Sequence, residues 1–254
     1  MSDEGEPLAI ECRGVVKHFY HYDHRTTTLQ EFFMRSVMRK PLHVRTPHFH
    51  LEGLDVAISR GESVAFIGHN GSGKSTALRL IAGIYPPSEG VVRTAGRLVA
   101  VIELGATFQP ELTGVENAEL YAAALGMTRR ESVTRLPEIL GFAGIEEFAD
   151  VPLKYYSSGM RSRLAFAIAI CTDPDTLLLD EVLAVGDAEF RNRCYERLTA
   201  FRRGGGTLVV VSHDPESVRA MCSRGIWLDQ GSVRLDGPID EVLAAYERHV
   251  ESRA

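Results

Sequence analysis

Long apolar runs are missing from this chain. A helix that crosses a bilayer needs about 18 or more such residues in a row. The stretch from Leu177 to Val185 is interrupted by Asp180 and Glu181. Met1-Ser2-Asp3-Glu4-Gly5-Glu6 is acidic and polar and is not expected to be a secretory leader, which is basic and then apolar. Cysteine is scarce. Cys12, Cys171, Cys194 and Cys222 are far apart and show no paired spacing, which argues against a disulfide framework or a zinc site and for free thiols in a cytosolic compartment. There is no internal repeat, no low-complexity tract and no heptad pattern. An excess of positive charge is lacking too: 28 Lys and Arg face 34 Asp and Glu, for a net charge of −6. That balance argues against a general nucleic-acid binder. What remains is 254 residues with an ordinary 44% hydrophobic content, enough for one large α/β domain or two small ones.

Against these absences stands Gly68-His69-Asn70-Gly71-Ser72-Gly73-Lys74-Ser75-Thr76, which fits the phosphate-loop pattern G-x-x-x-x-G-K-[ST]. Ser63 to Ile67 before it reads as a short buried strand, and Thr76 to Ala82 after it as a helix with Leu78, Leu80 and Ile81 apolar. Glycines at 68, 71 and 73 let the backbone approach a phosphate and turn its N–H groups inward. The helix behind adds the positive end of its dipole. Lys74 is the group expected to reach the β- and γ-phosphates, and the Ser75 hydroxyl the expected ligand of Mg²⁺.

Along the rest of the chain, strand and helix patterns alternate. Strands are expected at Leu8 to Val16, Leu54 to Ile58, within Val91 to Leu104, at Thr176 to Asp180 and at Thr207 to Val211. A hairpin is expected from Ile226 to Leu235, turning at Gln230-Gly231. Helices are expected at Asn117 to Leu125, Arg129 to Leu140, Ser158 to Cys171, Ala188 to Arg203 and Ile239 to Val250, so that about residues 113–170 form a helical subdomain. Alternation of this kind predicts an α/β fold with a largely parallel core sheet. A basic block at about residues 20–50 interrupts two neighbouring strands. In it Leu29, Phe32, Phe33 and Val37 share one face of a helix that Pro41 ends, and Arg25, Arg35, Arg39, Lys40 and Arg45 line the polar side. The block is either a solvated charged face or a surface that meets anionic headgroups or a pyrophosphate-linked substrate. Its histidines show no metal-ligand spacing.

Chemistry gathers at three further places. Leu177-Leu178-Leu179-Asp180-Glu181 is an apolar strand ending in two acids: Asp180 is placed to contact Mg²⁺ through its water, and Glu181 to polarise an attacking water. Tyr156-Ser157-Ser158-Gly159-Met160 opens a helix with small residues, again suited to a phosphate. His213 follows a buried strand and can reach a γ-phosphate.

These elements in this order resemble the ATP-binding cassette (ABC) ATPases along nearly the whole chain. The resemblance implies one nucleotide-binding domain over residues 1–254, with a P-loop RecA-like core, an antiparallel β subdomain and an α-helical subdomain. It implies ATP and Mg²⁺ as cofactors, and a head-to-tail homodimer in which Ser157 and Gly159 contact the γ-phosphate held by the partner's phosphate loop. The family signature Leu-Ser-Gly-Gly-Gln is altered here, with Tyr156, Ser158 and Met160 at its first, third and fifth places. Asp187 matches the acidic end of the family's D-loop, and Val182 stands where a Pro is usual. The glutamine that senses Mg²⁺ and couples to the partner corresponds to Glu103 or Gln109. The adenine-stacking aromatic corresponds to Phe19, or to Tyr20 or Tyr22.

Three stretches narrow the resemblance: Tyr156 to Met160, Asp180 to Asp187, and Glu103 to Gly114. They look like the ATPase subunits of bacterial exporters for O-antigen, capsular polysaccharide and teichoic acid. The implied partners are two copies of a transmembrane permease, a second copy of the chain, and a lipid-linked glycan handled through the permease, with no nucleic acid. The implied place is the cytoplasmic face of the inner membrane, held peripherally. An additional carbohydrate-binding domain, present in some of these subunits, is expected to be absent because the chain ends at Ala254. Exporters of a lipid, a drug or a protein are the nearest alternative. A soluble ABC protein acting on ribosomes or DNA, or a GTPase, is a more distant one, and the Asn-Lys-x-Asp motif of the latter is missing.

Overall fold

Short apolar strands separated by helices bury both faces of a parallel sheet. In this computed structural model, which describes residues 7–22, 45–102, 108–180, 187–212 and 214–252, that sheet has six strands. Its order is β5 (Leu98–Val101), β6 (Thr176–Asp180), β7 (Thr207–Val211), β3 (Ser63–Ile67), β8 (Arg224–Asp229) and β9 (Ser232–Pro238). Pairing is parallel from β5 to β8, and β9 closes the edge antiparallel. The β8–β9 hairpin turns at Gln230 and Gly231, both at positive φ (49° and 84°), the backbone that a tight two-residue hairpin needs.

Successive residues of the central strands enter opposite cores. Ala65, Ile67, Leu177, Leu179, Leu208 and Val210 pack on one side. Val64, Phe66, Leu178, Val209 and Val211 pack on the other. The first side is covered by helices: α2 (Gly114–Ala124), α3 (Arg129–Ala143), α4 (Ser158–Cys171), α5 (Ala188–Arg203), α6 (Pro215–Met221) and α7 (Ile239–Glu251) all contribute to that core. From Leu164 to Cys171, α4 is buried on every face, as expected of a helix enclosed between layers. The second side is covered by α1 (Lys74–Ile81) and by an antiparallel sheet ordered β2 (Arg45–Ser59), β1 (Leu8–Tyr22), β4 (Glu89–Thr94). Each large side chain that is fully withdrawn here, such as Phe66 or Ile58, contributes about 1.5–3 kcal/mol.

The helices and strands expected at Ser158–Cys171, Ala188–Arg203, Thr176–Asp180 and Thr207–Val211 have those bounds. Others differ. β1 runs on to Tyr22 and β2 begins at Arg45, because register shifts between Cys12 and Val15, and between Val15 and Lys17, absorb the broken alternation. Phe19, Tyr20 and Tyr22 therefore lie within a strand and not after it. The β-rich stretch from Val91 divides between the two sheets at a turn around Gly96. α2 and α3 start earlier or end later than the periodicity suggested. Capping boxes Thr113–Glu116 and Thr128–Glu131 fix their first turns, and Gly144 in the left-handed region ends α3. The expected helix between Thr27 and Arg39 lies outside the described residues.

All four cysteines are buried and free, and burial pushes each thiol up to about 12. Among the described residues no helix is long and apolar enough to cross a membrane.

Candidate functional site: a braced phosphate loop

The loop leaves the buried strand β3 at Gly68 and enters α1 at Lys74. Gly68, Gly71 and Gly73 all have positive φ (150°, 80° and 111°), which a side chain would resist. Gly68 is doubly constrained, since a Cβ there would lie 2.2 Å from the Leu228 carbonyl oxygen. Lys74 is buried, and its Nζ donates to the carbonyls of Gly68 (2.7 Å) and His69 (2.9 Å). Those bonds curl the loop around the ammonium and hold a cation at its centre. Ser72 is 1% exposed, and its hydroxyl has no hydrogen-bond partner among the described residues. Ser75 and Thr76 sit half-buried in the first turn of α1, Asn70 and Gly71 at its exposed crest. A backbone cradle, a central cation and an orphaned hydroxyl fit a bound phosphate chain.

Register places the acid. Phe66 of β3 pairs with Val211 of β7, and Val211 with Asp180 of β6, so the three form one row across the sheet. Asp180 thus stands at the carboxyl end of its strand, two strand spacings or roughly 10 Å from β3. The phosphate loop opens two residues beyond the same row. A sheet of this kind binds ligands at the carboxyl ends of its strands. Among the described residues no three His, Cys, Asp or Glu cluster as a metal centre. Mg²⁺ on a nucleotide needs less, since one or two protein ligands plus phosphates and waters complete its shell. Ser75 and Asp180 fit that requirement. Glu181, His213 and Glu103 lie outside the described residues.

Gln109 is exposed and belongs to the helical layer. Its backbone is clamped by Asn117, which is fully buried. Asn117 Oδ1 accepts from the Gln109 N–H (2.7 Å), and its Nδ2 donates to the carbonyls of Gln109, Leu112 and Thr113 (2.9–3.0 Å). Asn117 was not visible as a site residue in the sequence, where it reads as one more polar position of an amphipathic helix. Phe19 packs edge-on against Tyr85 at 5.5 Å, with Lys17 Nζ over both rings. Tyr22 ends β1 opposite Arg45.

At the head of α4, Ser157 is the N-cap and accepts from the Met160 N–H (3.1 Å). Ser157 and Ser158 are exposed, and a Cβ on Gly159 would meet nothing nearer than 3.8 Å. The chain's own packing does not require glycine there. Tyr156 beneath is 4% exposed and donates its hydroxyl to the Phe148 carbonyl (2.6 Å). Burial raises its phenol above the ordinary value, so the proton stays for that bond. Its room comes from Gly114, where a Cβ would lie 2.2 Å from the Tyr156 oxygen. Tyrosine at the signature's first position is thus matched by a missing side chain on α2. Asp187, the expected D-loop acid, caps α5 by accepting from Phe190 N–H and faces Arg163 at 3.7 Å.

A glycine loop between a parallel strand and a helix, with an acid-tipped strand in the same sheet, defines a P-loop nucleotide-binding protein. The sequence profile of the ABC transporter family matches residues 51–184, more than half of the chain. The chain belongs to the ABC transporter family. It is 46% identical over 203 residues to the ABC transporter protein AbcA of Aeromonas salmonicida, covering 79% of this chain and 66% of that protein. It is 36% identical over 243 residues to the O-antigen export system ATP-binding protein RfbB of Klebsiella pneumoniae, covering 96% of this chain and 98% of that one. The chain thus spans just under two thirds of the first relative and nearly all of the second. Among solved structures, a dimeric bacterial ABC transporter cassette superposes with a TM-score of 0.69 at 25% identity, covering 91% of this chain and 98% of that one.

Proposed function

We propose that this chain is the ATP-hydrolysing subunit of an ABC exporter. The exporter moves a lipid-linked polysaccharide, of O-antigen, capsular or teichoic acid type, across the bacterial inner membrane. The phosphate loop with Lys74 at its centre supports the nucleotide chemistry. End-to-end similarity to the Klebsiella O-antigen export subunit carries the choice of cargo.

Each residue then has a role. Lys74 and the N–H groups of the loop bind the β- and γ-phosphates. Ser75 and Asp180 would hold Mg²⁺, which would supply charge neutralisation at the phosphates. Glu181 orients and deprotonates the attacking water, and His213 contacts the γ-phosphate. Ser157 and Gly159 meet the nucleotide held by a second copy, which accounts for a glycine that its own chain leaves room to replace. Phe19, or Tyr20 or Tyr22, stacks on adenine. Glu103 or Gln109 senses the metal ion, and the Asn117 clamp passes that signal to the helical layer and on to two copies of a permease. The subunit sits peripherally at the cytoplasmic face.

The test is affinity purification of the chain from its native membranes in mild detergent, with mass spectrometry of what co-purifies. A multi-spanning permease at equal stoichiometry is the expected result. Recovery in the soluble fraction alone, with ribosomal or DNA-repair proteins, would overturn the transport reading and leave the ATPase chemistry in place.

A further inference from the structure

The β8–β9 hairpin lies far from the phosphate loop in sequence and touches it at three points. The Leu228 carbonyl fills the space that a side chain on Gly68 would need. The Gly231 N–H donates to the Ser72 carbonyl at 3.0 Å. Between them Asp229, 1% exposed, sets Oδ1 3.0 Å from His69 Nε2, and Arg234 closes on Oδ2 at 3.2 Å. The other ring nitrogen of His69, Nδ1, lies 2.6 Å from the Asn70 carbonyl oxygen. The imidazole thus lies between the Asn70 carbonyl and the Asp229 carboxylate, one ring nitrogen facing each.

The Asn70 contact sets a peptide plane. In a trans peptide the C=O of residue 70 and the N–H of residue 71 point in opposite directions. Drawing the Asn70 carbonyl towards His69 turns the Gly71 N–H the other way, across the crest of the loop. Gly71 has a positive φ, and the Ser72 N–H donates to the His69 carbonyl at 3.1 Å, closing a turn with the 70–71 peptide at its centre. Within that turn the imidazole adds a hold on the Asn70 carbonyl, and Asp229 holds the imidazole from its other nitrogen.

We infer that Asp229 is a positioning residue for nucleotide binding: through His69 it orients the Asn70–Gly71 peptide of the phosphate loop so that its N–H faces the bound phosphates. Arg234 holds the second oxygen of the buried carboxylate and so helps to aim it. The inference rests on the reading of residues 68–76 as the nucleotide site, and its test separates the two.

The full chain is titrated with a fluorescent ATP analogue, and ATP hydrolysis is followed against ATP concentration. The variants are Asp229→Asn, His69→Ala, the two combined, and Lys74→Ala as a control. Asp229→Asn is close in shape. His69→Ala changes a side chain that is 44% exposed, so it keeps the fold even if the buried change does not. Each single variant is expected to weaken nucleotide affinity and raise KM about 5- to 20-fold with kcat held, the scale of one lost charge-assisted hydrogen bond. The double variant is expected to be no weaker than the poorer single one, because both remove the same linkage. A merely structural Asp229 would lower the melting temperature and the active fraction without moving KM. If Lys74→Ala destroys binding while Asp229→Asn and His69→Ala leave affinity unchanged, or if their losses multiply in the double variant, the positioning role is wrong. If Lys74→Ala also leaves binding intact, the nucleotide site itself is misassigned.

Discussion

The head of α1 and the head of α4 are both small-residue helix N-termini, and they are finished to different degrees. At α1 the chain supplies its own braces: Lys74 holds two loop carbonyls from within, and the β8–β9 hairpin backs the loop from behind. At α4, Ser157 and Ser158 are exposed, and among the described residues a Cβ on Gly159 would meet nothing nearer than 3.8 Å. Among the described residues, Tyr156, Phe148 and Gly114 pack together beneath that helix head. A site braced by its own chain can bind alone. The exposed head of α4 is the face that the proposed head-to-tail second copy would meet.

The contrast can be tested from its strongest consequence to its weakest. Glu181→Gln is expected to lower turnover on the order of 10²- to 10⁴-fold, as for a lost general base, while ATP binding at the α1 site persists. Steady-state hydrolysis and nucleotide titration check both halves, and near-normal hydrolysis would sink the assignment. Lys74→Ala strikes the braced site, with an expected fall in affinity on the order of 100-fold from lost charge-assisted contacts to phosphate. Gly159→Asp strikes the open one. Hydrolysis is expected to fall at least about 10-fold, since a carboxylate would face a phosphate, while the isolated chain binds nucleotide as before. Light scattering should show the ATP-dependent dimer lost. A variant that still dimerises and hydrolyses would mean that α4 does not face nucleotide. Smallest is Gly114→Ala, which drives a methyl into the Tyr156 hydroxyl and is expected to cost about 1–3 kcal/mol by denaturant unfolding. Pairing it with Tyr156→Leu removes the clash, so stability that fails to recover would refute the pairing of these two positions.

Sequence alone reached the braced site more readily than its braces. Gly68 to Thr76 is legible because nine adjacent residues carry the chemistry and the flanking strand and helix are local patterns. Asp180 is legible because a fully apolar strand ending in an acid is rare enough to notice. Asp229 is not, since it acts on His69 across 160 residues of chain and nothing near it signals a partner. Asn117 is hidden for another reason: a buried asparagine that makes four backbone bonds looks, in one dimension, like a polar position on a helix face. The strand ends were misjudged where register shifts break the alternation that reveals a strand, as between Cys12 and Lys17. α6 is seven residues long, too short for any helical period to show.

The antiparallel ladder also has a consequence for how this protein can be altered. β1 and β2 stay paired to their tips, Tyr22 opposite Arg45, and their lower halves are anchored in the core by Ile10, Val15, Leu54 and Ile58. Any segment spliced between those tips starts and finishes at adjacent, fixed points. The entropy of closing such a loop grows by only about 0.6 kcal/mol for each doubling of its length. The ribbon is thus an insertion port. Segments of different length can be exchanged there at a small entropic cost.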